Sequence, residues 1–160
     1  MGCLCSIDSK NRTVTHVDTT ARGGDRQTAT VTREGCSLLV AREVCVSPTT
    51  AIRRLRDTRT WSEWSPSIRG VESDDRFVRE GTRGRVRIAG AWIPFEVTGF
   101  SGRQWRWRVA GIPATGHRVE AYAGDSERCR VAIEVPIVAA GYVPVCRRAL
   151  NRFATLVEDE

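Results

Sequence analysis

From Arg83 to Val135 the chain alternates apolar and polar residues with a period of two, and past Pro136 the period lengthens to 3.6. Arg83, Arg85 and Arg87 oppose Gly84, Val86 and Ile88 within a run that begins at Phe77. Ala89-Gly90 turns into Ala91 to Phe100, and Ser101-Gly102 turns into Gln104 to Ala110. There Trp105, Trp107 and Val109 alternate with Arg106 and Arg108. Gly111 to Gly116, with Pro113, reads as a longer loop. His117, Val119 and Ala121 then oppose Arg118, Glu120 and Tyr122. After Gly124-Asp125, Cys129, Val131, Ile133 and Val135 oppose Arg130, Ala132 and Glu134. Alternation of this kind predicts antiparallel strands with one buried and one wet face. Cys146, Leu150, Phe153 and Val157 then follow at i, i+4, i+7 and i+11, which predicts an amphipathic C-terminal helix with Pro144 in its first turn.

Upstream, Cys36 to Val46 is rich in Leu and Val and reads as the first strand. Ser47-Pro48 leads into a short helix carrying Ala51, Ile52 and Leu55, with Asp57 just beyond. Trp61 and Trp64 sit three residues apart on one side of a second helical turn, which Pro66 stops. A further strand starts near Val71 and gives way at Ser73-Asp74-Asp75. The element order is one strand, two short helices, five or six strands and one long helix. A curved antiparallel sheet must cover its apolar face, and only the last helix is long enough to do so.

The residues Ser47-Pro48, Ile52, Leu55 and Asp57, followed by Trp61-x-x-Trp64-x-Pro66-x-Ile68, resemble the opening of START-like proteins. These form the SRPBCC superfamily of polyketide cyclases, lipid-transfer proteins and pollen-allergen-like binders. The resemblance spans roughly residues 36–160. It implies an α+β helix-grip fold, in which a curved antiparallel sheet of six to seven strands wraps a long C-terminal helix around an apolar cavity. It speaks to fold more than to chemistry, because ligands vary within one frame.

A chain of 160 residues predicts one domain with a sizeable core. Residues 1–34 hold many Thr, the pair Gly23-Gly24 and no aromatic residue, and read as a disordered leader before a domain at 35–160. Met1-Gly2-Cys3-Leu4-Cys5-Ser6 fits a myristoylation pattern with two cysteines placed for palmitoylation. The Arg-rich composition weighs toward a chance match. No apolar run spans a bilayer and no signal-peptide core is present, so the expected location is the cytoplasm. The net charge is +6, and Lys10 is the one lysine among the 25 basic residues. That charge permits an anionic partner. The bland alternative, a solvated face on which Glu96 and Glu120 balance the arginines, is preferred, so neither nucleic acid nor a membrane is an expected partner. Six cysteines without a C-x-x-C pair and only two histidines argue against a structural zinc site, and no cofactor is expected.

The predicted inward rows define a candidate pocket for a small hydrophobic ligand. From the sheet come Val86, Ile88, Trp105, Trp107, Val119, Ala121 and Ile133. Trp61 and Trp64 close it from one side, and Cys146, Leu150 and Phe153 from the long helix. Trp92 joins them only if Pro94 introduces a bulge, because Trp92 and Phe95 lie an odd number of residues apart. For any one of these residues the plainer alternative is core packing. His117 is the sharpest candidate, as a group that orients a ligand carbonyl or acts as acid or base, against the blander role of a satisfied wall residue. No triad order, carboxylate pair or phosphate loop accompanies it. Binding or transport of a lipid, isoprenoid or polyketide-like molecule is the leading expectation. Alternatives are a polyketide cyclase or dehydratase using the same cavity, and an Arg-rich module for RNA or an anionic membrane.

Overall fold

The structure, a computed structural model, describes residues 28–159. Eight strands form one antiparallel sheet: β1 (Thr30–Glu34), β2 (Ser37–Val44), β3 (Ile68–Ser73), β4 (Arg83–Ile88), β5 (Ala91–Ser101), β6 (Gln104–Val109), β7 (Ile112–Tyr122) and β8 (Asp125–Pro136). Their spatial order is β1-β2-β8-β7-β6-β5-β4-β3. Two short helices, α1 (Pro48–Arg56) and α2 (Trp61–Trp64), follow β2, and the long helix α3 (Val143–Glu158) ends the chain. Helix α3 packs on β2, α2 and β8, burying the predicted stripe Cys146, Leu150, Phe153 and Val157 together with Ala149 and Ala154.

Local chemistry fixes the two short helices. Ser47 caps α1 by accepting from the Thr50 backbone N–H at 3.1 Å, and Pro48 occupies the first turn, where its missing N–H is harmless. Asp57 ends α1 and opens a 3-10 turn at Thr58–Thr60 by accepting from the Arg59 N–H at 3.2 Å. Its buried carboxylate also accepts from Arg76 at 2.9 Å. Burial alone would raise the Asp57 pKa, but the hydrogen bonds and charge of Arg76 outweigh it and hold the group below the ordinary value. Asp57 is therefore a structural cap that ties α1 to the segment before β4.

The expectation of six to seven strands falls one short. The extra strand, β1, lies inside the stretch read as leader and pairs with β2 from Thr30↔Ala41 to Glu34↔Ser37. All five of its residues are exposed, so burial imposes no apolar period that a sequence could display. Residues 1–27, including the lipidation-like Met1–Ser6, lie outside the described residues. Strand β7 also starts earlier than its alternation suggests. Residues 112–116, read as loop because of Pro113, pair with β6 across a register shift at Arg106/Arg108, and such irregularities are where a sheet accommodates proline.

The arginines of the outer face meet acids across strands. Arg83 pairs with Glu96 at 3.2 Å, Arg85 with Glu72 at 2.6 Å, and Arg130 with Glu120 at 3.1 Å. These exposed or half-exposed pairs relieve like-charge repulsion and each add about 0–1 kcal/mol.

Gly84 marks the tightest place in the sheet. A Cβ there would sit 2.1 Å from the Glu72 carbonyl oxygen and 2.8 Å from the Phe95 ring. Gly84→Ala is expected to push edge strand β3 off β4 and to lower stability by about 1–3 kcal/mol. Urea denaturation measures it, and an unchanged midpoint would show that β3 yields freely.

Candidate functional site

The site is built where the inward row of β6 meets α2. Trp105 and Trp107 share one face of β6, and His117 on β7 is the cross-strand partner of Trp105. The His117 and Trp105 rings stack at 4.0 Å and 16°. Trp61 stacks on the other side of Trp105 at 5.5 Å and 4°, and stands edge-on to Trp107 at 5.3 Å. Trp64 completes the cluster with its ring edge-on to Phe153 at 5.8 Å and to His117 at 6.3 Å. The i, i+3 spacing of the two α2 tryptophans thus sends both into one core, as expected.

An apolar cavity of about 50 Å³ lies between this cluster and α3. Of the predicted residues, Trp61, Trp64, Ile88, Trp105, Trp107, His117, Ile133 and Cys146 line it. Val86, Val119, Leu150 and Phe153 are buried but belong to the surrounding core. Two expectations are corrected. Trp92 lies on the outer face, 40% exposed, with the Arg85 guanidinium 5.0 Å from its ring. Strand β5 runs in unbroken register with β4 from Ala91 to Glu96, so Pro94 introduces no bulge and the odd spacing to buried Phe95 decides the matter. Ala121 has the inward parity of Val119 but is exposed near the end of β7. Other polar side chains of the sheet are engaged away from the cavity: Glu96 pairs with Arg83, Tyr122 donates to Glu43, and the buried Thr82 hydroxyl donates to Asp75.

Sequence reasoning missed Thr115, Ser65, Ser67 and Tyr142, which add hydroxyls to the lining. Thr115 was hidden by the apparent loop. Tyr142 lies in the 3-10 segment Ile137–Tyr142, where no periodicity points inward. At the rim, Ser65, Ser67 and Tyr142 form a hydroxyl chain, with Ser67 and Tyr142 2.5 Å apart.

The electrostatics of the site are those of a buried, uncharged wall. Burial alone lowers the His117 pKa from 6.5 to about 3, so the imidazole is neutral at physiological pH. Burial likewise pushes the Cys146 thiol up to about 12, which makes it a packing group rather than a nucleophile. Among the described residues no carboxylate lines the cavity. Two indole N–H groups are satisfied, Trp61 by the Leu55 carbonyl at 2.9 Å and Trp107 by Thr115 at 3.2 Å. Trp64 Nε1, Trp105 Nε1 and His117 Nδ1 are buried and have no hydrogen-bond partner among the described residues. Buried polar groups are nearly always paired, so three such atoms around one cavity mark it out from ordinary core.

Solved structures with the same architecture include a START superfamily protein from Mycobacterium smegmatis. It superposes with a TM-score of 0.58 at 14% identity, over 77% of this chain and 99% of the other. The chain has the START-like, helix-grip fold. The Bacillus cereus protein XoxI matches with a TM-score of 0.60 at 13% identity over 78% and 96% of the two chains. A hypothetical protein from Helicobacter pylori matches at 0.58 and 15% identity over 74% and 87%. No family profile and no curated protein matches the sequence. At these identities the likeness concerns the START-like fold alone. Among the described residues no helix is long and apolar enough to cross a membrane.

Proposed function

We propose that the chain binds and carries a small hydrophobic ligand of the lipid, isoprenoid or polyketide-like class, held between the sheet and α3. The observation that supports this reading is the set of three polar atoms, on Trp64, Trp105 and His117, that no described residue partners, in a largely apolar wall. A ligand with one oxygen function and an apolar body would use the indole N–H groups as donors and lie against the rings that line the cavity. Pockets for drug-sized ligands run to roughly 300–1,000 Å³. The 50 Å³ present here therefore has to grow as the ligand arrives. The rim offers a way, because Tyr142 is 38% exposed and is held to Ser67 by a single hydroxyl contact. Its release would open the cavity toward solvent.

The lining favours binding over cyclase or dehydratase chemistry. Such chemistry needs at least two polar groups converging with His117. Thr115 is engaged by Trp107, and the Ser67–Tyr142 pair sits at the rim. Native mass spectrometry of the protein purified from its own host, beside its His117→Ala variant, tests the reading. An apolar molecule released unchanged from the wild type is the expected result. A molecule that the wild type converts and the variant holds intact would replace the carrier with an enzyme.

A further inference from the structure

The two ends of the sheet differ in chemistry. At one end lie the β1–β2 turn at Gly35-Cys36, the β4–β5 turn at Ala89-Gly90, the β6–β7 turn at Ala110-Gly111, and the segment Ile137–Tyr142 after β8. The pairings Ser37↔Pro136, Ile88↔Ala91 and Val109↔Ile112 bring these tips together, and the Ile137 N–H donates to the Cys36 carbonyl at 3.1 Å. Residues 35–41, 88–91, 109–116 and 135–146 contain no charged side chain. The opposite end carries Asp74, Asp75 and Arg76 between β3 and β4, Arg103 between β5 and β6, and Asp125 and Glu127 at the start of β8.

At the uncharged end, apolar side chains point into solvent. Val138 is 98% exposed, Ile112 67%, and Ile137 and Tyr142 38% each. None of the residues in Ile137–Tyr142 is buried, so packing against the fold does not account for this apolar run. Tyr142 also lines the cavity, which places the cavity rim at the same end. Around it Arg69, Arg87, Arg108, Arg147 and Arg148 are exposed and form no ion pair with a described residue. The nearby acids Glu34 and Glu134 are already taken, by Arg118 and Arg106.

We propose that this end docks on an anionic lipid bilayer, with Val138 and Ile112 entering the acyl boundary and the five arginines meeting headgroup phosphates. An apolar centre ringed by cations is complementary to such a surface in both of its layers. A second copy of the chain fits poorly, since a symmetric contact would set the same arginines against each other. The assignment stands apart from the cavity ligand and survives if the cavity proves empty.

Co-sedimentation of the full chain with vesicles tests it. Vesicles of equal parts phosphatidylcholine and phosphatidylglycerol are expected to retain the protein, and vesicles of phosphatidylcholine alone to bind roughly tenfold more weakly. Val138→Asp touches no packed side chain and is expected to weaken anionic binding by about tenfold. Arg147→Gln combined with Arg148→Gln should weaken it several-fold while leaving the melting temperature unchanged. The assignment fails if anionic vesicles do not retain the wild type or if Val138→Asp binds equally well. It also fails if the lipid-free protein forms a dimer that Val138→Asp splits.

Discussion

Trp61→Ala is expected to lower folding stability by about 3–5 kcal/mol, the range for removing a fully buried aromatic side chain. Trp61 is 1% exposed and sits at the centre of the ring cluster, against Trp105, Trp107 and Phe95 at centroid distances of 5.5, 5.3 and 5.5 Å. Its indole N–H also satisfies the Leu55 carbonyl near the end of α1. The variant therefore loses dispersion contacts, orphans a buried carbonyl and enlarges the existing cavity together. For a chain of this size the melting temperature should fall by roughly 6–20 °C. Because the new void is apolar and aromatic-walled, added indole should recover part of that loss. A loss below about 1 kcal/mol would mean that the cluster collapses onto the space, against the close packing of protein cores.

That cluster was partly legible in the sequence, and the reasons are particular. A period of two assigns a face, so Trp105, Trp107 and His117 were placed inward together, and the spacing of Trp61 and Trp64 did the same for α2. Parity says nothing about how far cover extends along a strand. Ala121 has the right face and is exposed, whereas Val119, two residues earlier, is 5% exposed. Parity also outranks composition. Trp92 belongs to the pocket only if Pro94 introduces a bulge, and the unbroken β4–β5 register puts it outside. Thr115 and Tyr142 were missed because Pro113 and Pro136 interrupt the pattern before them, and a pattern cannot report contacts made across a break. Cavity volume is the least legible quantity. It is the small residue left when side chains from β3, β4, β6, β7, β8, α2 and α3 are packed together, and no single segment encodes it. The uncharged end of the sheet escaped for a related reason, since its loops are scattered through the sequence and meet only through strand register.

His117 should make the protein acid-sensitive well above the usual carboxylate range. Its imidazole titrates near 6.5 when the chain is unfolded and near 3 when folded, because burial disfavours the cation. Between those values the unfolded chain binds the extra proton, so acid favours unfolding. Stability is full above about pH 6.5 and declines by about 1.4 kcal/mol per pH unit as pH falls toward 3. Near pH 5 the loss should reach about 2 kcal/mol. Asp57 acts in the same direction but lower, since its contribution disappears only as pH falls below the ordinary carboxylate value of 3.8. His117→Phe keeps a flat ring on Trp105 and removes the proton site. Its urea midpoint should change little between pH 7 and about pH 5, while that of the wild type drops. Parallel decline in both proteins would place the acid lability elsewhere. A wild-type decline that the variant lacks would establish that His117 is neutral in the folded protein. That state suits it to meet an uncharged ligand and excludes a role as a resident cation.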